Sequence, residues 1–220
     1  MSVDVGTELV QAYLQANGYF TVVDYPLVEL GGARPARSVT DVDLLAVRFP
    51  RQAPPENKGR AGRSVRGPVV SSPDSLLGCP MDRTDMIVAE VKRGLARPNP
   101  ASRNPKVLGA ALSRFGCCSS EDSETVVQDL LQKGTAMGSH GHAIRMVLFA
   151  SHGDRAPSGW HLVYLADVFL FLEKLLLRHR EQWQSADFHD PALSWLSLIH
   201  KCRLSLKLRD ANLSRSASQP

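Results

Sequence analysis

The sequence predicts an α/β domain with a central mixed β-sheet flanked by helices. Two strand-like apolar runs, Thr40–Val47 and Asp85–Lys92, each carry two charged residues two positions apart, Asp41 with Asp43 and Glu90 with Lys92, which strand geometry puts on one face. Between and beyond such runs lie segments with apolar residues at helical spacing, bounded by cap residues, as in Asn104-Pro105 to Gly116. At 220 residues the chain is large enough to bury a sizeable core without covalent staples. Residues 1–208 are therefore expected to form one domain.

Residues from about Val5 to Asn17 read as a helix, with Val5, Leu9, Tyr13 and Ala16 on one stripe and Gly18 as the stop. Glu8 lies at the margin of that stripe, and periodicity leaves open whether it faces water or the sheet. Tyr19 to Leu30 suits a strand interrupted by Pro26 and closed by Gly31-Gly32, followed by the Asp43 strand. Residues 51–83 change character. Pro, Gly, Ser and Arg dominate, and this stretch reads as a flexible basic insertion too broken to form core. Arg60, Arg63 and Arg66 within it could track a nucleic-acid backbone or serve only solubility.

Behind the Asp85 strand, Arg93-Gly94 breaks the run and a loop leads to Asn104. Asn104 as N-cap, Pro105 at the first position and Gly116 as terminator bound a helix that buries Val107, Leu108, Ala111, Leu112 and Phe115. Lys106 projects from it, as a solvated helix lysine or as a basic contact. A second helix opens at Ser119 with acids that complement its dipole, and it ends at Lys133-Gly134. Ala143–Ser151 and Trp160–Leu165 read as strands. The latter feeds an apolar helix ending near Arg178, and a last helix follows over about Pro191–Leu208. Residues 209–220 read as a disordered tail.

The chemistry concentrates on the two charged strands. Period-2 geometry places Glu90 and Lys92 on one face with Val91 turned away, and places Asp41 and Asp43 on the face continued by Leu45 and Val47. A surface ion pair would account for Glu90 and Lys92 taken alone. If the two strands pair as antiparallel neighbours, however, two carboxylates and an ammonium meet at one end of the sheet. Two carboxylates offer hard oxygen ligands suited to Mg²⁺, and a lysine beside them can orient water or balance phosphate charge.

Asp43 on one strand with Glu90-Val91-Lys92 on the next resembles the PD-(D/E)xK nuclease superfamily, whose fold is restriction-endonuclease-like. Asp41-Val42-Asp43-Leu44-Leu45-Ala46 is similar to a strand of its resolvase-like and small nuclease branches. The resemblance implies that Asp43 and Glu90 hold Mg²⁺ or Mn²⁺ and that Lys92 assists the attacking water. It also implies an acidic site at one sheet edge. Glu8 matches the position of a further acid in many members, and Lys106 lies on the helix that often lends the site a basic residue. No proline precedes Asp43, and Asp41 competes with it for the ligand position. The implied activity is hydrolysis of phosphodiester bonds, foremost in DNA. The alternative is a nuclease-fold module without activity that binds nucleic acid or a protein. No separate recognition domain is visible, so sequence specificity would come from a homodimer, a protein partner or DNA structure, or be absent.

The composition is compatible with this. Net charge is +4 and hydrophobic content 43%, and the pI near 9.0 permits a polyanionic partner without demanding one. Neither a P-loop nor a G-x-G-x-x-G fingerprint nor a G-x-S-x-G elbow is present. Cys79, Cys117, Cys118 and Cys202 lack C-x-x-C spacing and read as free thiols. His140, His142 and His152 have no cysteine near them in sequence and read as polar loop residues. Met1–Asp4 lacks the features of a secretory leader. Asp167, Glu173 and Lys174 interrupt the longest apolar segment, so a cytoplasmic chain with no membrane partner is expected.

Overall fold

The computed structural model describes residues 4–29, 37–50, 73–179 and 190–202. Their elements run α1 (Val5–Ala16), β1 (Phe20–Glu29), β2 (Arg37–Arg48), β3 (Asp85–Leu95), α2 (Pro105–Phe115), α3 (Ser120–Lys133), β4 (Thr135–Met137), β5 (Ala143–His152), β6 (His161–Tyr164), α4 (Leu165–Arg178) and α5 (Pro191–Lys201). The chain is thus an α/β protein with a mixed six-stranded sheet flanked by helices. The sheet order is β1-β2-β3-β5-β4, and β6 also pairs with β5. β1, β2 and β3 form an antiparallel meander, and β3 continues into parallel pairing with β5. No helix among the described residues is long and apolar enough to cross a membrane.

Each face of the sheet has its own core. Leu44, Ala46, Ile87, Ala89, Val147 and Phe149 pack beneath α1, α4 and α5. Leu45, Met86, Val88, Met146 and Leu148 pack beneath α2 and α3. The cap signals act as expected from the sequence: the Asn104 side chain accepts from the Lys106 amide, and Gly116 closes α2 in the left-handed region at φ 63°. Ser119 likewise accepts from Asp122 N–H at the start of α3.

Three features depart from the sequence expectation. Of the segment 51–83, residues 51–72 and with them Arg60, Arg63 and Arg66 lie outside the described residues, but 73–83 is tied to the core through Leu77. Leu77 in a short 3-10 turn is fully buried. Tyr13 Oη donates to Asp74 at 2.9 Å, and Arg48 donates to the Pro80 carbonyl at 3.0 Å. A single apolar residue with satisfied backbone groups around it suffices to anchor a stretch whose composition reads as loop. The second is at Arg93-Gly94, which does not end β3; pairing resumes at Leu95 opposite His152 after a register shift. The third is β4, too short to leave a periodic signal. The end of the last expected helix and the tail, beyond residue 202, lie outside the described residues.

At the start of β3 a polar group is wholly enclosed. The Asp85 carboxylate has no exposure. It accepts from Arg145 Nε at 2.9 Å and Nη2 at 2.6 Å, and from Tyr19 Oη at 2.5 Å. Arg145 also donates to the Leu77 carbonyl at 2.8 Å. Burial, then the adjacent Asp85 carboxylate, push the Tyr19 phenol well above its ordinary range. Arg145→Met should destabilise the chain by about 3–5 kcal/mol in urea unfolding, because it strands a buried carboxylate. Adding Asp85→Asn to Arg145→Met should recover most of that loss.

Candidate functional site

The antiparallel register of β2 and β3 sets Leu44 opposite Ala89 and Leu45 opposite Val88. Continuing that register brings Asp43 beside Glu90, and Asp43 Oδ2 accepts from the Val91 amide at 2.8 Å. Glu90 follows Met86 and Val88 on the face covered by α2 and α3, while Ile87, Ala89 and Val91 serve the other core. Lys92 Nζ lies 2.7 Å from Glu90 Oε1. Asp43, Glu90 and Lys92 are therefore gathered at one end of the sheet, where the central strands β2 and β3 leave the core. This is the end of two interior strands rather than an edge strand, so the expected sheet-edge location is corrected.

Glu90 is only 4% exposed. A buried carboxylate needs partners, and the segment behind β3 supplies them. The 3-10 turn Pro100–Arg103 folds back so that Asn99 N–H donates to Glu90 Oε1 at 2.5 Å and Ser102 Oγ donates to Oε2 at 2.6 Å. Arg103 braces this turn, donating to the carbonyls of Ser158 at 2.9 Å and Leu131 at 2.7 Å. Glu90 is thus oriented by one backbone amide, one hydroxyl and one ammonium. The half-exposed Lys92 keeps part of its surface toward solvent.

Asp43 is half-buried, and burial raises its pKa above the ordinary 3.8. The Val91 amide and Lys92 lower it, and the carboxylates of Glu90 and Asp24 raise it further. Asp24 was not evident from the sequence. It sits across from Asp43 on β1 with φ 48°, a left-handed conformation that aspartate tolerates better than most residues. The side-chain alternation reverses there. Val23 and Leu44 pack on the α1 and α4 side, whereas the next pair, Tyr25 and Val42, packs on the α2 and α3 side. The strained residue therefore marks a kink in the β1–β2 ribbon at the height of the acidic cluster.

The other sequence candidates are placed less centrally. Glu8 is partly buried on α1; its pKa is raised by burial, then by Asp190 and Asp24, so it borders the cluster through Asp24. Asp41 is paired in backbone register with Pro26, and its side chain lies outside the described part. Lys106 is exposed near the start of α2. An open groove of about 460 Å³ lined by Pro80, Arg83, Lys133 and Arg145 lies at the opposite end of β3 and β5 and shares no residue with this cluster.

The cluster carries a cost that a single substitution should reveal. Asparagine at position 43 can still accept from Val91 N–H but removes a negative charge from among Glu90 and Asp24. Asp43→Asn should raise the melting temperature at neutral pH without divalent metal by about 2–4 °C, equivalent to ~1 kcal/mol in a domain of this size. Because the folded pKa of Asp43 lies above 3.8, its protonated form favours the fold, and that stability is lost as pH rises through the raised value. The advantage of Asp43→Asn should accordingly vanish below pH 3.8, as read by melting curves at both pH values.

Compared with family models, with curated proteins and with solved structures, the chain matches none. A functional reading rests on the residues themselves.

Proposed function

We propose that this chain is a metal-dependent nuclease that hydrolyses phosphodiester bonds, with DNA the foremost substrate. The observation that carries the reading is the convergence of Asp43, Glu90 and Lys92 from two paired strands, with Glu90 buried and oriented by three donors. The order of elements supports it too: a helix, an antiparallel meander carrying the acid and then Glu-x-Lys, and, after α2, α3 and the short β4, a further strand parallel to the Glu-x-Lys strand. This order is compatible with the restriction-endonuclease-like reading.

The donor set suits Mg²⁺ or Mn²⁺. Asp43, Glu90 and Asp24 offer hard oxygens; burial first, and then the carboxylates of Glu90 and Asp24, raise the Asp43 pKa, and a divalent cation would relieve the part that comes from the carboxylates. Such an ion, when bound, polarises a phosphate and lowers the pKa of a bound water. The chain's own residues do the rest. Asp43 and Glu90 are the ligands, with Asp24 and Glu8 as accessory acids. Lys92 presents its ammonium at the mouth of the cluster, where it can orient a water or balance developing charge. Asn99 and Ser102 fix the Glu90 carboxylate and act as positioning groups. Lys106, exposed in the first turn of α2, is the basic residue that the resemblance would set toward a phosphate backbone.

The test is cleavage of supercoiled plasmid, single-stranded DNA, branched DNA and RNA with Mg²⁺ or Mn²⁺. Asp43→Ala, Glu90→Ala and Lys92→Ala should each lower the rate by about 10²–10³-fold or more. Ser102→Ala should cost about 10–100-fold, the usual effect of releasing a group that orients a metal ligand. Absence of cutting together with absence of Glu90-dependent Mg²⁺ binding would instead assign the chain to non-catalytic binding of nucleic acid or protein.

A further inference from the structure

A second group of ligand-type side chains lies away from the acidic cluster. Cys117 and Cys118 form the turn between α2 and α3, directly behind Gly116. Consecutive side chains in extended chain point apart, but the left-handed Gly116 precedes a turn in which both sulfurs fall on one side, with Sγ–Sγ 3.2 Å. His142, immediately before β5, comes to the same place. One ligand atom from each of Cys117, Cys118 and His142 lies within 4.8 Å of the others. Nothing in the linear sequence joins them, because α3 and β4 intervene.

The histidine is held there with an unmet demand. His142 is 6% exposed, and its Nε2 is buried without a hydrogen-bond partner. A buried imidazole nitrogen without a partner costs free energy that the fold would ordinarily avoid. Its position also depends on a missing side chain, since a Cβ on Gly138 would lie 1.9 Å from His142 Nε2. Around the ring, the Gly138 amide donates to the His142 carbonyl at 2.9 Å, which closes the loop between β4 and β5. His140 in that loop is exposed, with its ring 6.3 Å from that of His142.

We propose that Cys117, Cys118 and His142 bind one thiophilic metal ion, Zn²⁺ foremost, that clips the α2–α3 turn to the start of β5. Two sulfurs and an imidazole are the soft and borderline donors that select Zn²⁺ over Mg²⁺. With metal–sulfur bonds of about 2.3 Å, a tetrahedral ion separates two sulfurs by about 3.8 Å, so the pair opens by roughly half an ångström on binding. Each thiol loses its S–H proton to solvent as its sulfur–metal bond forms, and water or His140 completes the shell. The site is independent of the nuclease reading, which uses oxygen ligands at the other end of α2.

The test uses the untagged full-length chain, freed of metal with a chelator and titrated with Co²⁺ and then Zn²⁺. One equivalent of Co²⁺ should give thiolate-to-metal charge-transfer absorption in the near ultraviolet with tetrahedral d–d bands, and Zn²⁺ should displace it. Cys117→Ser, Cys118→Ser and His142→Ala should each weaken binding at least tenfold. Cys79→Ser, Cys202→Ser and Glu90→Ala should leave the charge-transfer band unchanged. Zn²⁺ should raise the melting temperature of the wild type and not of Cys118→Ser, which is half-exposed and the mildest of the three changes. Absence of the charge-transfer band would overturn the proposal. So would equal binding by the three variants, or a mass two hydrogens low showing that Cys117 and Cys118 are joined in the native chain.

Discussion

The buried ion pair between Asp85 and Arg145 sets the frame in which everything else is placed. A carboxylate with no exposure is tolerable only because Arg145 meets it with two nitrogens and Tyr19 with its hydroxyl. Arg145 lies on β5 across from Ile87, so the pair fixes how β3 and β5 slide along each other. A slip by one residue would move Glu90 and Lys92 onto the opposite face and leave the carboxylate alone among apolar neighbours. Glu90 stands five residues along β3 from Asp85, roughly 17 Å at strand rise. The same pair holds the Leu77 carbonyl, which ties the anchored part of the 51–83 segment to the sheet.

From that register follows a contrast between the two ends of β3. At its start, positive and negative groups are matched and sealed. At its far end, Asp43, Glu90 and Asp24 act on one another with Lys92 as the cation, and Asp24 adopts a backbone conformation that costs energy. A chain selected for stability alone would have no need to gather these acids or to kink the β1–β2 ribbon among them. Hydrogen bonds from Asn99 and Ser102 hold Glu90 in one orientation, which a merely tolerated surface acid would not require.

What was legible in the sequence is what local rules determine. Asn104, Pro105 and Gly116 announce α2 because capping is a matter of a few adjacent residues. The meeting of Asp43 with Glu90 and Lys92 was legible because strand alternation sets their faces, and one pairing assumption then brings them together. Asp24 was not legible, since nothing local forces a positive φ in the middle of a strand. Asn99 and Ser102 stand in a loop whose return onto Glu90 depends on Arg103 gripping carbonyls far along the chain. Leu77 was hidden in a segment whose average composition is polar, although burial is decided residue by residue. Cys117, Cys118 and His142 were hidden by the length of the crossover between β3 and β5.

Helix α2 joins the two candidate metal sites mechanically. Its eleven residues span about 16 Å at helical rise. Its N-terminal end follows directly on the turn that carries Ser102, and its C-terminal end runs into Cys117 and Cys118. Between these ends Val107, Leu108, Ala111 and Leu112 press on the sheet. A helix held only by that apolar stripe can still shift along its axis, because dispersion and burial are not directional. Directional ties at the ends remove that freedom. The Glu90 hydrogen bonds supply one of them, and a metal clip to His142 would supply the other. The two donor sets differ in chemistry, oxygen at one end and sulfur with nitrogen at the other, so the cations they would select differ too. With both ties made, Ser102 would be held at its distance from Glu90 from either end of the helix, and a loosened Cys117–Cys118 turn would be felt in the orientation of that carboxylate whether or not the carboxylate itself holds a metal.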